Sequence, residues 1–268
     1  LLSRIVPSDH CFDGFISPMT NPVFFEDPRT LTEVRSIYAY QNVPNRTGGG
    51  DIDLFTEQLR VALNDYVSII VPKDGYITSN NPLIKDGWAD VSGGLKINFL
   101  RDVENQRLAS AGIVYEIPVG SHQALQGTSG GGDWDLFFSG GAQIGCDWHY
   151  LTTTGITIAD DPNKNSEFWY WSNHLDRKIG DNFYVLTEVN WFHWYRSGAN
   201  TATSGVEGLD FFNFGSSGVG SANIITLAPG AKYKPNDNLE LGIAYEIPVT
   251  ERRDVIQNRL TLDMIIRY

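Results

Sequence analysis

The feature that most constrains this chain is an alternation of apolar with polar or small residues, repeated in twelve stretches. Period two marks strands with two different faces, and no helical period is sustained anywhere. The stretches cover 29–41, 51–63, 65–72, 87–100, 106–119, 133–145, 147–159, 166–177, 182–196, 220–234, 238–250 and 257–268. Many run to twice the roughly 5–6 residues of an ordinary strand. About 9–11 tilted residues carry a strand across a bilayer, whereas a helix needs about 20 apolar ones. No such helical segment exists, since even Val67–Val71 is interrupted by Ser68. A chain of this kind can enter a membrane only as a closed barrel, where the sheet satisfies its own backbone.

The connections alternate in length. Tight turns at Asn64-Asp65, Asp102–Asn105, "GCD", "KIGDN" and "PNDN" alternate with longer segments such as 72–86, 120–132 and 197–219. Short turns on one rim and long loops on the other are the habit of outer-membrane barrels. The faces agree: Leu239, Leu241, Ile243, Tyr245, Ile247 and Val249 fall on one side of a strand, Glu240, Gly242, Ala244, Glu246 and Pro248 on the other. Aromatic residues gather near strand ends, as interfacial girdles require (Tyr38, Trp134, Trp148, Trp191, Tyr233, Tyr268).

Little in the chain points to catalysis. The net charge is −12 over 268 residues, which disfavours nucleic acid as a partner. The five histidines form no dense metal pattern, and no cofactor motif is present. "RTGGGD" and "GTSGGGD" lack the GK[ST] ending of a phosphate loop. Trp148-His149-Tyr150 and Phe192-His193-Trp194 read as interfacial aromatic segments. Ser172 and His174 share a face, but no acidic orienter is marked by motif, so no catalytic set is assigned.

Twelve charged residues share the parity of the expected lumen: Glu33, Arg35, Asp90, Lys96, Glu116, Glu188, Lys232, Glu240, Glu246, Arg259, Asp263 and Arg267. Either they pair and fill a narrow interior, or they line an aqueous path. Twelve strands lie between the filled eight-stranded barrel and the open sixteen-stranded porin. An acidic set, Asp51, Asp53, Asp86, Asp133, Asp135, Asp160, Asp161, Glu167, Glu207 and Asp210, falls on the long-loop rim as solvated loop charge. Residues 1–28 carry no strand pattern and precede the barrel, 29–268, as a periplasmic tether or a plug. Cys11 lies in that segment and Cys146 in a turn on the same rim; a disulfide between them would pin one to the other in an oxidising periplasm.

"GIVYEIPVG" from Gly112 and "GIAYEIPVT" from Gly242 agree at seven of their first eight positions, which reads as a duplicated membrane strand. The ending "RLTLDMIIRY" resembles the aromatic-terminated last strand of bacterial outer-membrane barrels, the signal read by their assembly machinery. "DVSGGLKINF" leading into "GIVYEIPVG", echoed by "GAKYKP" before "GIAYEIPVT", resembles transporter barrels grouped with the phenol-degradation MetA-type family. That resemblance implies a channel for small, often apolar, molecules and carries over no catalytic residue. The expectation is therefore an all-β, single up-and-down barrel in the outer membrane of a Gram-negative-type bacterium. It would contact lipid and pass small apolar or cationic solutes without a cofactor. The alternative is a non-conducting barrel that anchors or displays loops to partners.

Overall fold

The computed structural model describes residues 6–127 and 131–268. Fourteen strands, β1 to β14 in chain order, form one antiparallel sheet. Twelve of them build the wall: β1 (Glu33–Asn42), β2 (Asp51–Ala62), β3 (Val67–Lys73), β6 (Val91–Asp102), β7 (Arg107–Ile117), β8 (Asp133–Ile144), β9 (Trp148–Ala159), β10 (Glu167–Ile179), β11 (Phe183–Arg196), β12 (Asn223–Asn236), β13 (Leu239–Pro248) and β14 (Asn258–Arg267). Neighbours in this series pair in sequence, and β1 pairs with both β2 and β14, closing the sheet on itself. Closure removes the sheet edge, so the wall needs no water to satisfy its backbone. Among the described residues the only helical elements are short 3-10 turns, at His10–Phe12, Asn45–Thr47 and His122–Ala124.

β4 (Tyr76–Ser79) lies where the sequence suggests a plain loop, and β5 (Gly87–Trp88) is split off from the start of the stretch 87–100. Their presence follows from Pro72, which has no N–H to give. The pairing of β3 with β2 stops at Leu59↔Val71, leaving the far half of β2 unpartnered. β4 takes over that half, from Phe55↔Tyr76 to Ile52↔Ser79. Asp74 bridges the step, its Oδ1 accepting from Thr56 Oγ1 at 2.7 Å and from the Glu57 amide at 2.8 Å. Gly75 then turns at φ 118, where a Cβ would stand 2.3 Å from the Phe55 carbonyl oxygen.

The two rims differ as the connection lengths suggest. Residues 63–66, 103–106, 145–147, 180–182 and 237–238 make short turns on one rim, and the other rim carries all the long loops. Outward positions are apolar and exposed, among them Leu95, Ile97, Ile243, Tyr245, Leu262 and Met264. Inward positions are buried and many of them are charged, unlike the interior of a soluble barrel. Both copies of the repeated stretch obey this rule. Ile113, Tyr115, Ile117 and Val119 in the first, and Ile243, Tyr245, Ile247 and Val249 in the second, face outward; Gly112 and Gly242 face the interior. Each glycine leaves room for a covering group: the Phe137 ring over Gly112, and Met19 with Asp263 over Gly242.

Candidate functional site: a filled lumen

Residues 6–32 add no strand to the wall, and from Phe15 onward they occupy its interior. The segment starts at the short-turn rim, where the Ser8 amide donates to the Tyr268 carbonyl at 2.6 Å and Arg101 pairs with Asp9 at 2.7 Å. It climbs past Phe15 and Met19 and reverses at Asn21 (φ 51), whose carbonyl accepts the amides of Phe24 and Phe25. The chain then descends through Glu26, Asp27 and Arg29 into β1. From Phe15 to Glu33 every residue is buried. This is a re-entrant loop held at both ends, and we call it the plug.

Its attachment to the wall is largely polar. A ladder of alternating charges runs around the rim-side half of the lumen, starting at Lys96. Lys96 meets Glu26 at 2.6 Å; Glu26 meets Arg60 at 2.6 Å; Arg60 meets Glu33 at 2.8 Å; Glu33 meets Arg267 at 2.7 Å. Arg267 continues to Glu240 at 2.5 Å, Glu240 to Lys232 at 3.1 Å, Lys232 to Asp263 at 2.9 Å and Asp263 to Arg35 at 2.8 Å. Glu26 belongs to the plug and the other eight residues to the wall. Arg35 and Gln58 also donate to the plug carbonyls of Met19 and Pro22, at 3.3 and 2.8 Å. Buried charges are tolerated when paired and hydrogen-bonded, and every charge of this ladder is paired, with Asp263 Oδ1 alone among its oxygens lacking a hydrogen bond from the described residues.

A second chain of polar groups holds the plug's ascending arm. His149 Nδ1 lies 2.8 Å from Asp176, and His174 spans Asp176 at 3.0 Å and Glu188 at 2.7 Å. Both His174 nitrogens thus face carboxylate oxygens. Glu188 in turn accepts the amides of Met19 at 2.7 Å and Thr20 at 2.6 Å, and the Thr20 hydroxyl. All four side chains are buried. The plug also rests on Gly242, where an added Cβ would stand 2.2 Å from Met19 Sδ and 2.3 Å from Asp263 Oδ1. Gly242→Leu is expected to loosen this arm by about 1–3 kcal/mol of overpacking. Faster hydrogen exchange of the Met19 and Thr20 amides, with the wall strands unchanged, is the result that checks it.

A large apolar cluster occupies the far half of the lumen. Val23 and Phe24 at the tip of the plug meet Phe168, Tyr170, Phe192 and Trp194 of the wall. From above, residues 197–222 fold inward and bury Leu209, Phe211, Phe212 and Phe214 in the same cluster. Between tip and loop remains a space of only about 20 Å³, lined by Lys73, Glu116, Asp133, Asp135 and Asp210 among others. That is close to the room one water needs.

The inward loop is tied by Glu207. Its carboxylate accepts from Ser166 Oγ at 2.6 Å and from the amides of Ser216 at 2.8 Å and Phe214 at 3.1 Å, while its own amide donates to Asp254 at 2.9 Å. Burial pushes this carboxyl up to about 7 despite those donors. A carboxyl raised from an ordinary 4.5 has its full native preference while both states are protonated. It loses that preference as pH climbs from 4.5 through 7. Loop 197–222 is therefore expected to protect its amides best near pH 5 and to loosen by pH 8. Hydrogen exchange across that range checks this, and Glu207→Gln should flatten the profile.

Eleven of the twelve residues assigned to the lumen by parity sit in wall strands at inward parity, and Asp90 stands just before β6, outside any strand. Glu33, Arg35, Lys96, Lys232, Glu240, Asp263 and Arg267 join the ladder, and Glu188 the histidine chain. Arg259 pairs with Asp210 at 2.7 Å and lies 3.7 Å from Glu246. Glu116 holds Lys73 at 2.6 Å, and Asp90 accepts the amides of Gly120 and Gly127. Arg60, Glu26, Asp176 and Asp210 escape the sequence assignment, although Arg60 shares inward parity with Thr56 and Gln58.

Several expectations need correction. Cys11 and Cys146 are both free and exposed, so the disulfide is not formed in this structure. Their neighbourhoods do adjoin: Gln106 donates to the Cys11 carbonyl and Gln143 to that of Cys146, and the Gln143 amide donates to Gln106. His149 is buried in the lumen rather than interfacial, because its parity in β9 is inward. Ser172 takes the Asn21 amide at 2.8 Å, and both nitrogens of His174 face carboxylates. Those partners leave no serine–histidine pair. Glu207 and Asp210 are buried rather than solvated, since their loop turns inward.

The fold and its interior define a closed, twelve-stranded antiparallel barrel with a re-entrant plug. Solved structures of this type match along almost the whole chain. An outer membrane channel from Pseudomonas putida F1 is 11% identical, with 95% of this chain and 100% of that one covered and a TM-score of 0.67. The KdgM porin is 10% identical, covering 88% and 99%, with a TM-score of 0.52. The β domain of the Bordetella autotransporter BrkA is 10% identical, covering 89% and 99%, with a TM-score of 0.53. At such identities the likeness concerns the fold. No family model and no curated protein matches the sequence.

Proposed function

We propose that this chain is a bacterial outer-membrane channel for small solutes that rests in a plugged state. The observation that carries it is the independence of wall and plug. The twelve strands close without residues 6–32, and those residues bind through side-chain hydrogen bonds and ion pairs to a polar lining. A shell that needed only to be filled could be filled with apolar side chains, since packed apolar groups are often at least as stable as buried ion pairs. A charged lining around a separable segment fits passage. The fold likeness to channels and porins, and the resemblance of the two hairpins to MetA-type transporter barrels, support the same reading. In this setting the apolar outer face meets lipid. The likeness to an autotransporter β domain favours a second reading, a barrel that anchors other segments without conducting. Swelling of proteoliposomes in arabinose separates the two. The full chain should admit the sugar slowly, and a chain lacking residues 6–28 rapidly. A folded deletion chain that leaves liposomes impermeable would favour the anchor.

A further inference from the structure

Glu26 differs from the plug's other deeply buried charges, Asp27 and Arg29. Asp27 and Arg29 pair with each other at 2.7 Å, so they would leave the lumen together with no net effect on it. Glu26 gives its whole carboxylate to the wall. Its Oε1 accepts from Arg60 Nε at 2.9 Å and Lys96 Nζ at 2.6 Å, and its Oε2 from Arg60 Nη2 at 2.6 Å. That is the two-point fork by which a guanidinium recognises a planar carboxylate, with an ammonium added on one side. Arg60 and Lys96 are 2% and 1% exposed.

The other inward cations of the ladder each keep an acid of the wall: Arg35 and Lys232 keep Asp263, and Arg267 keeps Glu33 and Glu240. Among the described residues Lys96 has no such partner. Its hydrogen bonds go to Glu26 and to the Asp27 carbonyl, both in the plug. Arg60 would retain Glu33 on Nη1 and lose the acceptor on its Nε and Nη2 edge. Withdrawal of the plug would leave the ladder with five cations, Arg35, Arg60, Lys96, Lys232 and Arg267, against Glu33, Glu240 and Asp263. Unpaired buried cations are costly, and a carboxylate of any origin relieves them.

Resting on the plugged-channel reading, we infer that Arg60 and Lys96 form a binding site for small carboxylate solutes, a site that Glu26 fills in the resting barrel. A solute carboxylate and the plug then compete for the same donors, so the solute itself favours the open state. The sign is opposite to the passage of cationic solutes among the expectations from the sequence. Selection would occur at the ladder, where charge is desolvated and weakly screened.

The direct test is chemical rescue in the full chain. Glu26→Ala removes the carboxylate and leaves its donors. At pH 7 and fixed ionic strength, replacing chloride with acetate should raise the melting temperature of this variant by about 3–5 °C. It should not move that of the unsubstituted chain, and the effect should vanish when Arg60→Gln is added. Equal stabilisation by acetate and chloride, or acetate stabilisation that survives Arg60→Gln, would overturn the site. If Glu26→Ala does not fold, the same comparison is made by titrating acetate into the chain lacking residues 6–28. In that deletion chain benzoate should also reduce the current through a planar bilayer, benzylammonium should not, and Lys96→Gln should weaken the benzoate effect at least tenfold. A deletion chain that folds but does not conduct defeats the channel reading, and acetate rescue still decides the site. A conducting chain indifferent to benzoate, with no acetate rescue, defeats the site and leaves the channel standing.

Discussion

Replacing Glu188 with Gln is expected to unseat the plug and convert a closed barrel into one that opens frequently. Glu188 accepts the Met19 and Thr20 amides and the Thr20 hydroxyl, and lies 2.7 Å from His174. An amide side chain of the same shape presents an NH2 where one of those donors points, and it removes the carboxylate that faces His174. Hydrogen bonds to a charged acceptor contribute about 1.5–3 kcal/mol each. Losing about 3 kcal/mol from the seated state shifts its equilibrium with a displaced state roughly a hundredfold. The wall should be spared, because Glu188 sits in β11 with its backbone pairing intact. The measurement is the open probability in planar bilayers together with thermal unfolding of the same preparation. The expected result is frequent opening with little change in the unfolding midpoint.

Arg267→Met should act the other way, on the wall more than on the plug. The guanidinium donates to Glu33 at 2.7 Å, to Glu240 at 2.5 Å and to Ser17 Oγ at 2.8 Å. Glu33 and Arg267 are directly opposed where β1 meets β14, the seam that closes the barrel. Methionine fills the space but leaves two buried carboxylates short of a cation, a cost of about 3–5 kcal/mol. At this chain length the unfolding midpoint should fall by about 10 °C. Arg107→Met, at an exposed strand end, should change stability by less than about 0.5 kcal/mol. A further substitution, Glu240→Leu, should recover part of the loss in Arg267→Met, because it removes one of the stranded charges.

The wall was legible in the sequence because lipid leaves few solutions. Each strand must present apolar groups outward at period two, so the face of Ile243, Tyr245 and Ile247 could be read directly, with Glu240 and Glu246 behind it. Pro72 marked a break in β3, but nothing local showed that Tyr76–Ser79 would complete β2. The course of the plug was not legible. Its residues satisfy backbone groups through side chains far away in sequence, as Met19 and Thr20 do with Glu188, and such pairing leaves no period. Glu26 and Arg60 lie 34 positions apart, and only the closed wall brings them together. Loop 197–222 was misread for a related reason. Its glycines and serines suggest a solvated surface, while "LDFFNF" within it supplies the rings that enter the mouth. That aromatic run was the available signal, as was the inward parity of Arg60.

Single-channel recording of the chain lacking residues 6–28 tests the central claim most directly, that a complete channel wall is held shut by a separable plug. The full chain should remain closed for most of the recording, and the deletion chain, verified as folded by its β-sheet circular dichroism, should show a stable open level of uniform size. A folded deletion chain that stays as silent as the full one would contradict it.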